Sequence, residues 1–342
     1  MKLDLIIDEN SSIPKYIQIV KAIKSLIVAD SLRYGDKIPS INNLSNEYYL
    51  SRDTVEKAYV ILKKQGIIES VKGKGYYISH HSDLSKYRIL LLFNKLSSYK
   101  KEIFNALIVA LEDRGEISFH VHHCEYDLLK KIIEKQKEAF DYYVIMPHFK
   151  KDQEEKAVAL LKTLPKEKLI FLDNKLEGIP CYGAVFQDFK SDIYEALNTL
   201  LPRLEKYMKL LMVFPSHSNY PYPEKILLGF KKFTVEVGVD FEVISEISEE
   251  RKLEKGEAYI VIEENDLVNL IKKARETNGL EIGKNFGILS YNETPLKEVL
   301  QNGITVISTD FSAMGKTAAE MILNKKGNLV KNKFKVIVRA SL

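Results

Sequence analysis

Residues 35–55 read GDKIPSINNLSNEYYLSRDTV, and this stretch decides how the leading part of the chain folds. Gly35, Asp36 and Pro39 break what precedes them, and Ser40 stands where a helix cap is needed, with Ile41, Leu44 and Tyr48 on one face behind it. Tyr49 and Leu50 lead to Ser51, a second cap, and the next helix should run to about residue 65, where Gly66 stops it. On that helix Val55, Tyr59 and Leu62 face inward, which leaves Arg52, Thr54 and Lys57 outside. A short helix of this kind can enter a major groove with its N-terminal residues reaching the base edges first.

Upstream, Ile13, Ile17, Val20, Ile23, Leu26 and Ile27 recur at helical spacing, with Pro14 in the first turn. Downstream, two β segments are expected at residues 67–70 and 76–79, joined by Val71-Lys72-Gly73-Lys74-Gly75. A tip of lysines and glycines can approach phosphates or the minor groove, because glycine removes side-chain bulk there. Three helices and a basic hairpin predict a winged helix-turn-helix over residues 1–79. No GxxxxGK[ST] follows a strand, so the glycines are not read as a P-loop.

Taken in order, Gly35 to Ser40, Leu44, Ser51-Arg52-Asp53-Thr54-Val55, Leu62, Gly66-Ile67-Ile68-Glu69 and Lys72 to Ile78 resemble the GntR-family DNA-binding domain. The resemblance covers almost all of residues 10–79. It implies that Ser40, Ser51, Arg52 and Thr54 touch DNA, that Gly75 enters the minor groove, and that Lys57, Lys72 and Lys74 add contacts. Many members carry an arginine soon after the Pro-Ser, where this chain has Asn42 and Asn43; Asn42 is therefore a candidate contact and the base preference should differ.

Composition agrees without deciding anything. The 342 residues are 45% hydrophobic and 29% charged, which fits two or three soluble globular domains. No run of about 18 apolar residues exists, and the first ten residues are acidic without a long apolar core, so neither a membrane span nor a signal peptide is expected. Cys124 and Cys181 stand alone, which reads as reduced thiols in the cytoplasm. Net charge is +4, and residues 1–79 hold 12 Lys and Arg against 9 Asp and Glu, a mild bias that suits nucleic acid.

Residues 80–86 are polar and patternless and read as a linker; the pair His80-His81 has no second pair at a supporting distance for a metal. From residue 87 to 342, short apolar strands alternate with amphipathic helices. Strands are expected at residues 88–93, 142–146, 169–172, 210–213, 259–262 and 286–289; helices at 102–114, 153–164, 191–204, 224–237 and 267–277. That alternation predicts α/β architecture with parallel sheets covered on both faces, in two lobes, with ligands beyond the carboxyl ends of the strands.

Residues 142–147, 169–173, Gly229-Phe230, Gly238-Val239, Asn278-Gly279-Leu280, 286–293 and above all 306–318 resemble the effector domain of LacI-type regulators, a relative of periplasmic sugar-binding proteins. Carried over one position at a time, the resemblance implies a ligand near Phe93 and Asn94 at the end of the first strand and near His148. It further implies Asp188 at the crossover, Lys225 where an arginine is frequent, Glu264, Asn292 where an aspartate is common, and Thr309 and Phe311 at the pocket edge. Residues 216–223 form an aromatic, proline-rich loop after a strand, in which Tyr220 and Tyr222 are candidates to stack on a sugar. The His122-His123-Cys124-Glu125 cluster has metal-like composition, but a strand would send its first two residues to opposite faces, so it reads as surface or edge-strand structure.

The arrangement resembles regulators of arabinose and L-fucose utilisation. It implies a repressor working as a homodimer on double-stranded operator DNA, controlled by a monosaccharide between the lobes, with no cofactor, metal or membrane partner. The low net charge after residue 79 favours a neutral sugar over a sugar phosphate. Two other readings compete. A pyridoxal phosphate-binding, aminotransferase-like body occurs in the same DNA-binding family, but it needs more chain than the 263 residues after residue 79 and a lysine beside a phosphate cradle; a sensor of a non-sugar metabolite is the other. No GxSxG elbow supports a hydrolase, and the protein is not expected to be an enzyme.

Overall fold

The structure, a computed structural model, describes residues 3, 5–9, 11, 13–29, 31–79, 86–136, 140–216, 218 and 220–342. The chain divides into two compact units, Met1–Lys86 and Tyr87–Leu342. Residues 80–85, most of the expected linker with its His80-His81 pair, lie outside the described residues, as do His217 and Asn219.

The first unit contains α1 (Lys15–Val28), β1 (Lys37–Ile38), α2 (Ile41–Glu47), α3 (Arg52–Lys64), β2 (Ile68–Val71) and β3 (Gly75–Ile78). Strand order is β1-β3-β2, all antiparallel, so the wing has one short strand more than the expected hairpin. Ile19, Ile23 and Ile27 of α1 meet Leu44 of α2, Val55, Ala58, Tyr59 and Leu62 of α3, and Ile68 and Ile78 of the wing in one core. Tyr59 buries its ring there and donates from its hydroxyl to Pro39 O at 2.7 Å, tying α3 to the entry of α2. Both cap expectations hold: Ser40 Oγ accepts from Asn43 N and Ser51 Oγ from Thr54 N, each at 3.2 Å.

The second unit has two lobes. The first contains β4 (Tyr87–Phe93), α4 (Ser98–Leu111), β5 (Gly115–Val121), α5 (Tyr126–Gln136), β6 (Tyr142–Ile145), α6 (Glu154–Leu161), β7 (Leu169–Asp173) and β8 (Gly183–Phe186). The second contains α7 (Phe189–Leu204), β9 (Lys209–Val213), α8 (Lys225–Val237), β10 (Asp240–Ile244), β11 (Glu257–Val261), α9 (Glu264–Glu276), β12 (Gly287–Tyr291), α10 (Pro295–Val299) and β13 (Thr305–Thr309). Then α11 (Phe311–Leu323) and β14 (Leu329–Lys331) return to the first lobe, and β15 (Phe334–Ile337) closes the second.

The sheets run β14-β8-β7-β6-β4-β5 and β10-β9-β11-β12-β13-β15. All pairs are parallel except β13 with β15, an antiparallel edge that the expectation of purely parallel sheets did not include. The two orders correspond strand for strand, so each lobe repeats the other's plan. Two helices serve the lobe opposite to the strand they follow. Phe311, Met314, Ala318 and Ile322 of α11 pack into the first lobe's core, while Phe189, Ile193, Leu197 and Leu200 of α7 pack into the second's. Helix–helix contact is close at both places: a Cβ on Gly315 would lie 2.4 Å from Ile103 O of α4, and one on Gly229 would lie 2.3 Å from Lys190 O of α7.

The chain therefore crosses between lobes three times, and Asn332 ties the crossings together. Its backbone N–H donates to Phe186 O at 2.8 Å, and its buried Nδ2 donates to Thr309 Oγ1 at 2.7 Å and to Asp310 O at 2.8 Å. Asp188 and Asp310, at equivalent strand exits, cap α7 and α11 by accepting from Ser191 N and Ala313 N.

Candidate DNA-contact face and interlobe cleft

At the start of α3, Ser51, Arg52 and Lys57 are exposed, while Thr54 is half-buried with its hydroxyl 2.7 Å from Ser51 Oγ. Ser40 and Asn42, at the start of α2, are exposed as well. Across the wing turn, Lys74 N donates to Val71 O at 3.0 Å, and Lys72 and Lys74 stand exposed on either side of Gly73, whose φ is +75°. Gly75 has φ +115°, a conformation closed to side chains, and a Cβ there would lie 3.2 Å from Lys37 Cε. It begins β3 and so flanks the tip, which is Lys72-Gly73-Lys74. All nine candidate contact positions fall on α2, α3 or the wing. Their chemistry is that of a phosphate-tracking and base-edge surface: cations, short hydroxyls and amides.

In the second unit, a cleft opens where the carboxyl ends of the two sheets face each other. Its central chamber, about 40 Å³, is lined by Asn94, Lys95, Tyr99, Lys100, His148 and Asp173 from the first lobe. Gln187 at the first crossover and Tyr222, Tyr291 and Asn292 from the second lobe complete it. A side chamber of about 340 Å³ adjoins it, reaching Tyr220, Glu263, Glu264 and Lys297; a second, of about 590 Å³, reaches Lys151, Glu177 and Lys225.

Of the eleven ligand candidates, Asn94, His148, Tyr222 and Asn292 meet in the central chamber, Tyr220 and Glu264 line one side chamber and Lys225 the other. The other four are placed elsewhere. Phe93 and Phe311 are buried in the first lobe's core, where Phe311 stacks on Tyr99 at 4.8 Å between centroids. Thr309 is buried at the crossing and donates its hydroxyl to Lys333 O at 3.2 Å, and Asp188 is spent on its helix cap. The placements of Asp188, Thr309 and Phe311 follow from the helix swap, since residues at the ends of β8 and β13 turn toward the crossing and the opposite core, whereas Phe93 is the last residue of β4 and points into its own lobe's core.

Lys95, Lys100, Asp173 and Gln187, which complete the cleft's polar centre, were not foreseen. Asp173 closes β7 with φ +72°, and Asn292 follows the equivalent β12 with φ +63°, two left-handed residues facing each other across the cleft. His148 Nε2 donates to Asp173 Oδ2 at 2.7 Å and Gln187 Nε2 to Oδ1 at 2.5 Å. Burial alone would raise the Asp173 carboxyl, but the His148 bond, the nearby cations and Gln187 outweigh it and hold it at about 2. Lys100 is 2% exposed and donates to Asn94 Oδ1; burial brings its ammonium down to about 8. Lys95, also lowered by burial, donates to Tyr222 OH at 3.0 Å and lies over the Tyr222 ring at 4.5 Å. Burial pushes the Tyr99, Tyr222 and Tyr291 hydroxyls up, so all three are neutral donors. Among the described residues, Gln187 Oε1, Tyr291 Oη and Asn292 Oδ1 are buried without a hydrogen-bond partner.

The His122 cluster corrects the surface reading. Edge strand β5 ends at Val121; His122 and Cys124 turn inward and are fully buried, with His122 Nε2 3.0 Å from Met146 O. Burial brings the His122 imidazole down to about 4. His123 remains exposed, its Nδ1 3.1 Å from Tyr220 OH on the other lobe. Among the described residues no group of three or more His, Cys, Asp and Glu side chains could hold a metal ion, and no helix is long and apolar enough to cross a membrane. Lys95 could have been suspected because it follows Asn94 at a strand exit, whereas Lys100 lies in a first helical turn, where lysine ordinarily reads as surface.

Known proteins resemble the two units separately. Residues 15–78 match the family described as bacterial regulatory proteins, gntR family. The HTH-type transcriptional repressor YtrA of Bacillus subtilis is 35% identical over 104 residues, which cover 30% of this chain and 76% of that protein. The arabinose metabolism transcriptional repressor of Geobacillus stearothermophilus is 32% identical over 71 residues, 21% of this chain and only 20% of that one. Among solved structures, a transcription regulator like protein from Staphylococcus haemolyticus superposes with a TM-score of 0.60 at 15% identity, over 75% of this chain and 99% of its own. A LacI family transcriptional regulator from Silicibacter pomeroyi gives 0.60 at 13% identity, over 75% and 98%. A periplasmic binding protein/LacI transcriptional regulator from Alkaliphilus metalliredigens, complexed with D-xylulofuranose, gives 0.55 at 13% identity, over 75% and 99%. Identities this low establish a shared fold, that of LacI-type regulators. The match to the Bacillus repressor runs through three quarters of that protein, and it makes this chain a member of the gntR family of bacterial regulatory proteins.

Proposed function

We propose that the protein is a sequence-specific repressor of a carbohydrate-utilisation operon, and that a monosaccharide bound between the lobes of the second unit controls its grip on operator DNA. The observation that carries the effector half is the cleft itself. Buried amide and hydroxyl groups without partners converge there beside tyrosine rings, which is how a polyhydroxylated ring with one apolar face is held. An arabinose repressor among the relatives and a xylulofuranose complex among the structural neighbours lend support. Single winged units read single half-sites, so the repressor acts as a homodimer on a near-palindromic operator. The residues assigned to DNA are Ser40, Asn42, Ser51, Arg52, Thr54, Lys57, Lys72, Lys74 and Gly75, with Arg52 at a base edge.

The test is a thermal-shift screen of the full chain against free pentoses, hexoses and their phosphates, followed by operator-binding assays with each hit. A hit that raises the melting temperature and changes operator affinity supports the proposal. Stabilisation by hits with unaltered operator affinity would remove the control mechanism, and absence of any sugar hit would remove the effector class.

A further inference from the structure

Resting on the reading of the cleft as a sugar-type effector site, we infer that the effector is an anion, a polyhydroxylated molecule whose carboxylate or phosphoryl group is taken by Lys100 and Lys95. The donor and acceptor inventory of the central chamber leads there. Its one carboxylate, Asp173, has both oxygens bonded, to His148 and Gln187. Its two ammonium groups are not matched in the same way. Lys100 is buried with three N–H donors, and its hydrogen bond in the described structure is the one to Asn94 Oδ1, a neutral amide. Lys95 leans on a phenol hydroxyl and on the π faces of Tyr222 and Tyr220, again neutral partners.

A second ammonium beside buried Lys100, that of partly exposed Lys95, makes its charged form less favourable in the free protein. Burial and the Lys95 charge both work against protonation of Lys100, with Asp173 opposing them. An anion entering the chamber reverses that balance and satisfies the open N–H groups together, a charge-assisted contact stronger than any neutral hydrogen bond. Lys100 lines the central chamber and not the larger one of about 340 Å³ beside it, so the acid end of the ligand belongs in the first and its hydroxylated body in the second. Hydroxyl donors of that body complete Asn292 Oδ1, which lacks a donor and lines both chambers, and reach Glu263 and Glu264 at the far side. A neutral sugar would meet the acceptors but add no charge to the two ammonium groups, which Asp173 and Glu263 offset without a direct contact.

The test compares D-galactose, D-galacturonate and D-galactose 6-phosphate, and D-glucose against D-gluconate, by calorimetric titration into the full chain. Galacturonate, gluconate or the phosphate should bind at least about tenfold more tightly than the matching neutral sugar. Which anion binds tightest separates the carboxylate from the phosphoryl source. Lys100→Met should erase that advantage, because the buried ammonium that takes the anion is gone. If Lys100→Met does not fold, Lys95→Gln, a partly exposed position, should reduce the advantage in the same sense. Equal binding of acid and neutral partners, or an advantage that survives both substitutions, overturns the inference and leaves the sugar-effector reading standing. Failure of every sugar, charged or neutral, overturns both.

Discussion

Tyr49 shows how a single residue can hold a position its chemistry resists. It is 96% exposed, has φ +52°, and follows the end of α2, where Leu50 N donates to Ser45 O at 3.0 Å. That bond makes a Schellman-type helix stop, in which the left-handed residue is usually glycine. With its ring in solvent, Tyr49 recovers no packing for the conformation it adopts. Tyr49→Gly should raise the unfolding free energy by about 1 kcal/mol in urea titrations, and a variant less stable than the parent would show that the ring is held by contacts of its own. Asp173 is the opposite case, a charge that its neighbours favour. With the folded value held at about 2 against 3.8 for a free side chain, the unfolded state binds the proton first as pH falls. The contribution is therefore complete above pH 4 and lost between pH 4 and 2. Asp173→Asn should flatten the dependence of melting temperature on pH across that window; an unaltered slope would mean that Asp173 is not the group responsible.

At the scale of elements, the proposed contacts divide between α3 and the wing, and substitutions on each should read out differently. Arg52 stands in the first turn of α3, and its replacement by alanine should weaken the preferred operator by about 1–3 kcal/mol while sparing unrelated duplexes. Lys74 flanks a glycine at the tip of a two-stranded turn. Lys74→Ala should weaken all duplexes alike and reduce the slope of log affinity against log salt by about 1. Fluorescence anisotropy at three salt concentrations separates the two, and a sequence-selective defect at Lys74 would move it from phosphate to base. In the second unit, the equivalent helix pairs α4 with α11 and α7 with α8 owe their close approach to Gly315 and Gly229, whose missing side chains leave room for a neighbouring carbonyl. Each pair joins a helix to one arriving from across the cleft, so these glycines set how firmly the crossing segments are anchored.

For the whole molecule the question is coupling. The lobes are joined by three crossings, and Asn332 is bonded to the other two crossing points, so the three form one connected segment. Lys95 to Tyr222, His123 to Tyr220, Lys151 to Glu224 and Lys225 to Glu177 are the polar contacts by which the lobes touch across the cleft. If ligand binding at that cleft alters operator affinity by some factor, operator must alter ligand affinity by the same factor. Titrating an effector into the free protein and into its operator complex checks this, and equal affinities in the two titrations would exclude any coupling of the sites.

The caps, the helix spacing and the Gly-rich turn of the first unit were legible because each is local: Ser40, Ser51 and Gly66 act within a few residues of themselves. The alternation of strands and helices in the second unit was legible for the same reason, although the short β8 and the edge strands β5, β10, β14 and β15 were not among the expected strands. The cleft was only partly so. Asn94, His148 and Asn292 could be placed because they follow strands, and strand exits face the cleft. Lys100, Asp173 and Gln187 could not, since nothing local distinguishes a lysine in a first helical turn on the surface from one sealed by a second lobe. Thr309 and Phe311 went astray because the helix after β13 belongs to the other lobe. The 35–55 stretch and its flanks determined the winged fold by themselves, through interactions that begin and end inside the stretch. The chemistry of the cleft was decided by tertiary structure, because its charges acquire their meaning only when residues some two hundred positions apart exclude water from the same small space.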